Sequence, residues 1–207
     1  LADVGPADQY HVQAIAQFYS PWNDNTKTGE DPETLQSYWT LSNDGYTATA
    51  SAGESNIVSL HSITSGDRYG EIRVNFESYP IGLAYVVAGL SRNNPESPRD
   101  SLAISLDGVV WLEGAFLALI DPLVDNDVVG VAVEGSTGRA WLSVNGSWIL
   151  GGSPAARTDE LATFGPVEFW LGFALSSAID APYSGTLRTF APFSYSPPAG
   201  FSPWYEG

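Results

Sequence analysis

Apolar and polar positions alternate along several short segments of the chain. The clearest alternation spans residues 69–76, where one set of positions is polar or aromatic and the other is mostly apolar: Tyr69, Glu71, Arg73 and Asn75 against Gly70, Ile72, Val74 and Phe76. Successive side chains of a β-strand point to opposite faces, so we expect one set to meet a core and the other to meet water or a partner. Residues 128–133 are apolar nearly throughout, which is typical of a strand between two layers. Two stacked sheets explain both patterns.

Turn signals separate these segments. The chain has 21 glycines and 14 prolines, and aromatic and β-branched residues are common between them. This pattern predicts an all-β sandwich. Tight turns are expected at 43–45, 107–108 and 145–146. The predicted strands are 38–41, 46–51, 57–63, 69–77, 83–90, 101–106, 109–113, 128–134, 139–144, 147–150, 168–175 and 185–190.

The strongest short-range signal is the Asn145-Gly146 pair, with a tryptophan on each side of it. Both residues tolerate a positive φ, as a type I′ hairpin turn requires. Trp39, Trp141 and Trp170 are predicted to fill the core. For Trp22, Trp148 and Trp204, which lie near turns or tails, packing and ligand contact both stay open.

The two ends of the chain differ from the middle. Residues 1–36 are predicted to form an N-terminal extension or docking segment, and residues 37–207 the sandwich. In the extension, positions 12, 15, 16 and 19 fit a helix, whereas positions 12, 14, 16 and 18 fit a strand, so periodicity does not decide between them. The proline-rich segment 191–207 is expected to be extended and to pack its aromatic side chains over the sandwich.

Composition excludes several kinds of partner and chemistry. The 207 residues include no cysteine, so there is no disulfide framework, thiolate zinc site or cysteine nucleophile. The formal charge of −16 argues against nucleic acid and anionic membranes as partners. The longest apolar stretches are shorter than the roughly 20 residues of a membrane helix, so no membrane insertion is expected. Leu1 to Pro6 does not resemble a signal peptide, and we expect the sequence to begin inside a larger protein or after processing.

The sequence lacks the residue patterns of common hydrolases. A glycoside hydrolase needs two carboxylates across a cleft, whereas Glu71, Glu77 and Glu168 are interrupted or isolated. The spacing of a nucleophile elbow is missing, and we expect His61 to be a structural strand residue. No cofactor is predicted. A weak calcium-binding hypothesis remains for the turn that contains Asp121, Asp125, Asn126 and Asp127, although the EF-hand spacing is absent.

The order of four short motifs resembles the SPRY family. Residues 65–74 (SGDRYGEIRV) resemble its Ser-Gly turn followed by an aromatic residue, a glutamate and an alternating strand. Residues 128–133 and 137–146 (TGRAWLSVNG) resemble its paired strands that end in an Asn-Gly hairpin. Residues 192–195 and 197–201 resemble its closing segment. The match covers about residues 39–201, and Gly151 to Ala156 resembles SPRY-type domains of phage and bacterial proteins.

The resemblance implies a concanavalin A-like, two-sheet antiparallel β-sandwich that binds ligands through loops at one end. On this basis the predicted ligand-binding residues lie in two loops, with one tryptophan as a stacking candidate: Arg92, Asn93, Asn94, Arg99, Asp180, Tyr183 and Trp148.

The predicted function is non-catalytic recognition of a cell-surface glycan or glycosylated receptor, by a virion surface or other extracellular protein such as a phage tail fibre. A homotrimer and contacts with other virion subunits fit this role. One alternative is a structural or decoration module of a virion that binds protein. The second alternative is a polysaccharide-cleaving enzyme.

Overall fold

The fold is built from two packed sheets. The computed structural model describes residues 39–42, 46–50, 55–59, 61–76, 85–92, 102–176, 183–188 and 192–205. Within these ranges the strands are β1 (Trp39–Ser42), β2 (Thr47–Ala50), β3 (Ser55–Val58), β4 (Asp67–Phe76), β5 (Tyr85–Arg92), β6 (Leu102–Ser105), β7 (Val109–Leu112), β8 (Ala115–Leu119), β9 (Val128–Glu134), β10 (Arg139–Val144), β11 (Ser147–Trp148), β12 (Ala162–Thr163), β13 (Phe169–Ser176), β14 (Tyr183–Arg188) and β15 (Ser202–Pro203).

Strand order differs from chain order in both sheets. One sheet runs β1-β2-β14-β4-β9-β10-β11, with β12 on β10 and β15 on β4, and the other runs β3-β13-β5-β6-β7-β8. The pairs are antiparallel except β15 with β4. Strand β14 lies between β2 and β4 and joins an early part of the chain to a late one. The first sheet carries the candidate site and is called the main sheet below.

The core lies between the facing sides of the sheets. Ile72 and Val131 of the main sheet and Leu171 and Phe173 of the other are completely buried. Burying such a side chain stabilises the fold by roughly 1.5–3 kcal/mol. The all-β sandwich predicted from the alternation is confirmed.

The hairpin turn at Asn145-Gly146, between β10 and β11, forms as the sequence predicted. Strands β9 and β10 have the predicted bounds, and Asn145 and Gly146 have φ values of 50° and 78°, as a type I′ turn requires. The predicted strand 147–150 is too long, because β11 ends at Trp148. Leu150 has a φ of 54°, and residues 149–151 form a 3₁₀ turn.

Strand β8 was not predicted. It follows a two-residue turn in which Glu113 and Gly114 have φ values of 51° and 76°. The strand pairs only with β7 among the described residues and forms an edge of its sheet.

The tryptophans have different environments. Trp141 is completely buried and Trp204 is 2% exposed, so both are packing residues. Trp141 is buried as predicted, but in a cluster with Tyr69 and Phe201 and not in the main cluster between the sheets. The prediction for Trp170 is wrong, because this residue alternates with the buried Phe169 and Leu171 and is partly exposed on the other side of β13.

The C-terminal segment lies against the main sheet. The prediction that the C-terminal segment packs over the sandwich is confirmed, since β15 pairs with β4 and Phe201 is 8% exposed. Residues 1–36 lie outside the described residues, and their separation from the sandwich stays a prediction. In the described part of the chain, no helix has the length and apolar character needed to cross a bilayer.

Candidate functional site

The outer side of the main sheet carries a row of polar side chains. Strands β2, β4 and β14 alternate there between buried inward residues and partly exposed outward ones. The strand register places Arg73 beside Thr186, and Asn75 beside Ser184. We call this surface the polar outer face; its members are Thr47, Thr49, Arg73, Asn75, Ser184, Thr186 and Arg188.

Side-chain hydrogen bonds hold parts of this face in place. The Oγ1 atoms of Thr47 and Thr186 are 3.0 Å apart across β2 and β14. Asn75 Nδ2 donates to Asn126 Oδ1 at 2.8 Å. The hydroxyl and amide groups therefore sit at defined positions on a rigid sheet.

An aromatic cluster covers the adjoining part of the same side. Tyr69 and Trp141 on the sheet pack with Phe201 of the C-terminal segment, and Trp148 and Phe193 are partly buried against them. The ring centroids of Tyr69 and Phe193 are 5.1 Å apart, and those of Trp141 and Phe201 are 6.1 Å apart, both edge to face. The C-terminal segment is thus part of the packed structure at this side.

Glu71 fixes the boundary between the polar and aromatic parts. Its side chain is completely buried, and its carboxylate accepts hydrogen bonds from the backbone N–H groups of Ser194 and Tyr195 at 2.7 and 2.8 Å. The Tyr69 hydroxyl donates to the same carboxylate at 3.0 Å. Burial, together with the Glu71 charge, raises the pKa of Tyr69, so this hydroxyl keeps its proton.

Two arginines meet at Ser194 on this boundary. Arg188 Nη1 donates to Ser194 Oγ at 3.0 Å, and Arg73 Nη2 donates to the same oxygen at 3.4 Å. Within the described residues neither arginine forms an ion pair, and Arg73 Nε is buried without a hydrogen-bond partner. Two guanidinium groups thus share one neutral oxygen.

The ion pairs of the described chain lie at the other end of β9 and β10. Glu134 accepts from Arg139 Nε at 2.7 Å and lies 3.3 Å from Arg157 Nε, and Arg157 also pairs with Asp67. The hydrogen bond from Arg139 is the main cause that lowers the pKa of Glu134. Arg157 lies over the Phe201 ring at 4.3 Å, so this cluster also anchors the C-terminal segment.

Most of the sequence-predicted ligand residues lie outside the part of the chain that the structure describes, so their grouping into one site stays a prediction. Arg92 ends β5 in the other sheet, and its side chain is outside the described residues, as are Asn93, Asn94, Arg99 and Asp180.

The two predicted ligand residues whose side chains are described lie on opposite faces of the main sheet. Trp148 is partly buried on the outer side against Tyr69. Tyr183 is 1% exposed on the inner side, because it shares the parity of Gly185 and Leu187 in β14. Its ring belongs to the core.

Sequence reasoning missed the polar outer face as a unit. The alternation of Arg73 and Asn75 in β4 was recognised, but the matching Ser184, Thr186 and Arg188 of β14 were not connected with it. Only the pairing of β14 with β4 brings these residues together. Polar residues at every second position of both strands were the available signal.

The carboxylates of the turn before β9 make hydrogen bonds within the protein. Asp127 accepts from the Val124 N–H at 2.7 Å and from Asn145 Nδ2 at 2.6 Å. Asp125 accepts from the Phe76 N–H at 3.0 Å, and Asp121 is exposed. No group of three or more metal-ligating residues occurs in the described ranges. The hypothesis of calcium at Asp121, Asp125 and Asp127 gains no support from this geometry.

His61 has a packing environment. Its ring stacks on Tyr205 with the centroids 3.9 Å apart, and its carbonyl oxygen accepts a hydrogen bond from Trp204 Nε1 at 3.0 Å. These contacts join His61 to the C-terminal segment.

Comparisons with known proteins identify the fold. The sequence matches no family model and no curated protein. The SPRY domain of human HERC1 is similar in structure, with a TM-score of 0.52, 14% identity and coverage of 77% of this chain and 96% of that domain.

Two further solved structures are similar at lower scores. The TRIM65 PSpry domain has a TM-score of 0.48, 15% identity and coverage of 91% and 98%. Stonustoxin has a TM-score of 0.47, 17% identity and coverage of 76% of this chain and 26% of its own. Together with the two-sheet architecture, the similarity to the HERC1 domain confirms the predicted SPRY-like fold.

Proposed function

We propose that this SPRY-like β-sandwich is a non-catalytic recognition domain that binds a cell-surface glycan or a glycosylated receptor through its polar outer face. The observation that carries the proposal is the set of hydroxyl, amide and guanidinium groups that three adjacent strands present on one side of the main sheet. We therefore propose this sheet face as the ligand-binding surface; it differs from the loops that the family resemblance suggested.

The chemistry of this face suits sugar hydroxyls. Thr47, Thr186 and Asn75 each offer donor and acceptor atoms, and the hydrogen bonds described above fix their positions. The partly exposed aromatic residues Phe193 and Tyr195 flank Ser194, which accepts hydrogen bonds from Arg73 and Arg188 of this face, and aromatic rings pack on the apolar faces of sugars. Because the groups are preorganised on strands, little conformational entropy is lost on binding.

Two described carboxylates, Glu71 and Glu134, have structural contacts that favour binding over hydrolysis at this surface. A glycosidase needs one free acid and one free base or nucleophile across a cleft. Glu71 is buried and accepts three hydrogen bonds, while Glu134 is held by two arginines. Both groups serve the packing of the C-terminal segment and its neighbours.

The proposed setting is a virion surface or another extracellular location. Its support is the resemblance of Gly151 to Ala156 to phage and bacterial versions of the domain. A homotrimer of such domains, attached to other virion subunits, would convert weak single-site binding into avidity.

The test is binding of the labelled domain to a glycan array and to intact host cells. We expect saturable binding that Asn75→Ala and Thr186→Val each reduce by about tenfold, since each removes a hydrogen-bonding group. The matched control is Ser136→Ala, an exposed turn residue away from this face. Absence of glycan and cell binding, or equal binding by the Asn75 and Thr186 variants and the parent, would refute the proposal.

A second candidate function is protein docking at the edge strand β8. Phe116 and Leu119 are 64% and 66% exposed, and a pocket of about 290 Å³ lined by Leu112, Glu113, Ala162, Thr163 and Phe164 adjoins the start of the strand. An exposed apolar edge accepts an added strand.

The charge beside β8 specifies the kind of partner. The exposed carboxylate of Asp121 lies just after the end of the strand. The occupant that fits is an extended segment of a partner protein that carries alternating apolar and basic side chains. Selection from a displayed peptide library should return such sequences, and Leu119→Lys should abolish their binding while Leu150→Lys, also at an exposed leucine, should not. Selection of no such sequence would exclude this function.

A further inference from the structure

Two arginines of the polar outer face share an acceptor that carries no charge. Both guanidinium groups donate to Ser194 Oγ, at 3.0 Å from Arg188 and 3.4 Å from Arg73. Arg188 Nη1 also lies 3.5 Å from the Pro192 carbonyl oxygen. Ser194 is exposed and both arginines are partly exposed, so the place where they meet is open to solvent.

These arginines differ from others in the described part of the chain. Arg139 and Arg157 are paired with Glu134 and Asp67, whereas Arg73 and Arg188 form no ion pair with a described residue. The whole chain has eight basic residues against 24 acidic ones. In so acidic a protein, two adjacent cations with no carboxylate partner among the described residues are an uncommon arrangement, because opposite charges are plentiful.

A neighbouring carboxylate, that of Glu71, is already hydrogen-bonded to other groups. Glu71 lies opposite Arg188 in the register, and its oxygens accept from the Ser194 N–H, the Tyr195 N–H and the Tyr69 hydroxyl. Its carboxylate therefore lies near the two guanidinium groups and is hydrogen-bonded to other donors. Arg73 Nε adds a buried donor that lacks an acceptor, and a buried donor without an acceptor is costly.

We propose that Arg73, Arg188 and Ser194 form an anion subsite that binds a carboxylate or phosphate group of the ligand. An anionic oxygen placed between the guanidinium groups replaces a neutral acceptor by a charged one, which makes the hydrogen bonds shorter and stronger. The Ser194 hydroxyl then donates its own proton to the anion. This subsite rests on the proposed function and specifies its ligand: an acidic sugar, either a uronic acid type or a sugar phosphate.

The experiment titrates the full domain with glucuronate, glucose 6-phosphate and glucose. The readout is the NMR signal of the arginine Nε–H groups, together with the dissociation constant. We expect glucuronate, glucose 6-phosphate or both to shift the Arg73 and Arg188 signals saturably at about millimolar concentration. The neutral glucose should leave these two signals in place.

Arginine variants distinguish binding at this subsite from a general effect of positive charge on the protein. Arg73→Gln and Arg188→Gln should each weaken acid binding by about tenfold, and Arg188→Lys should weaken it less because the charge is kept. Arg68→Gln is the matched control, since it removes the same charge from the same strand next to the C-terminal segment. Circular dichroism verifies that each variant is folded.

The outcomes distinguish this inference from the proposed function. Glycan-array binding without a shift of either arginine signal overturns the subsite and leaves the recognition function standing. A shift produced equally by glucose, or affected equally by Arg68→Gln, also overturns it. Saturable binding of the acids with no glycan or cell binding supports the anion subsite while the proposed function fails.

Discussion

At the scale of single residues, Glu71 is the group on which the candidate surface depends. Its carboxylate accepts three hydrogen bonds, two of them from backbone N–H groups of the C-terminal segment. In the sequence, Glu71 is a strand carboxylate without the second acid that a glycosidase needs. The sequence could not identify its partners, because Ser194 and Tyr195 lie 123 and 124 positions further along the chain.

We predict that Glu71→Gln lowers the free energy of unfolding by about 2–3 kcal/mol, because an amide NH₂ then faces a backbone N–H that needs an acceptor. Tyr69→Phe removes only one donor and should cost about 1 kcal/mol. Urea denaturation followed by tryptophan fluorescence measures both values. Equal losses in the two variants would contradict the role assigned to the carboxylate.

At the scale of elements, the turn decides how well a strand is predicted. The Asn-Gly signal correctly predicts the turn from β10 to β11, and β9 and β10 have the bounds that their apolar patterns predict. Strand β8 follows a Glu-Gly turn in which Glu113 has a φ of 51°. Because glutamate rarely adopts a positive φ, the sequence gives no hairpin signal there, and the strand was not predicted. Of the polar outer face, the sequence predicts only the part on β4. The part on β14 could not be predicted, because β14 is more than 100 residues away in the chain and only its pairing with β4 brings the two together.

The C-terminal segment provides an element-scale prediction. Phe201→Ala should remove the contacts with Trp141 and Arg157 and cost about 3 kcal/mol. Hydrogen exchange should rise in residues 192–205, including the Trp204 N–H that donates to the Tyr69 carbonyl at 2.7 Å, and should change little in the β9–β10 hairpin. An equal rise in both regions would show that the segment does not open separately.

At the scale of the whole molecule, lowering the pH affects stability in two opposite ways, through the net charge and through local ion pairs. With a net charge of −16, the acidic side chains repel one another at neutral pH, and their protonation in acid reduces this repulsion. Glu134 acts the other way. Its pKa in the folded protein is lowered from 4.5, so its contribution to stability is present above that value and is lost as the pH falls through the lowered pKa.

We therefore predict a pH-dependent difference between the parent chain and Glu134→Gln. At pH 7 the variant should be less stable by about 1–2 kcal/mol, and the difference should shrink as the pH falls below about 4.5. Asp121→Asn, which removes one exposed carboxylate, controls for the change in net charge. Chemical denaturation at several pH values measures the difference, and a constant gap down to low pH would contradict the assignment.

The position of β14 between β2 and β4 has a consequence for biosynthesis. The ribosome makes β2 and β4 early, yet neither can complete its hydrogen bonds until β14 arrives. At usual translation rates this delay is on the order of ten seconds. During that interval the nascent chain exposes the edges of two unfinished strands, and a chaperone that shields them would raise the yield of native protein.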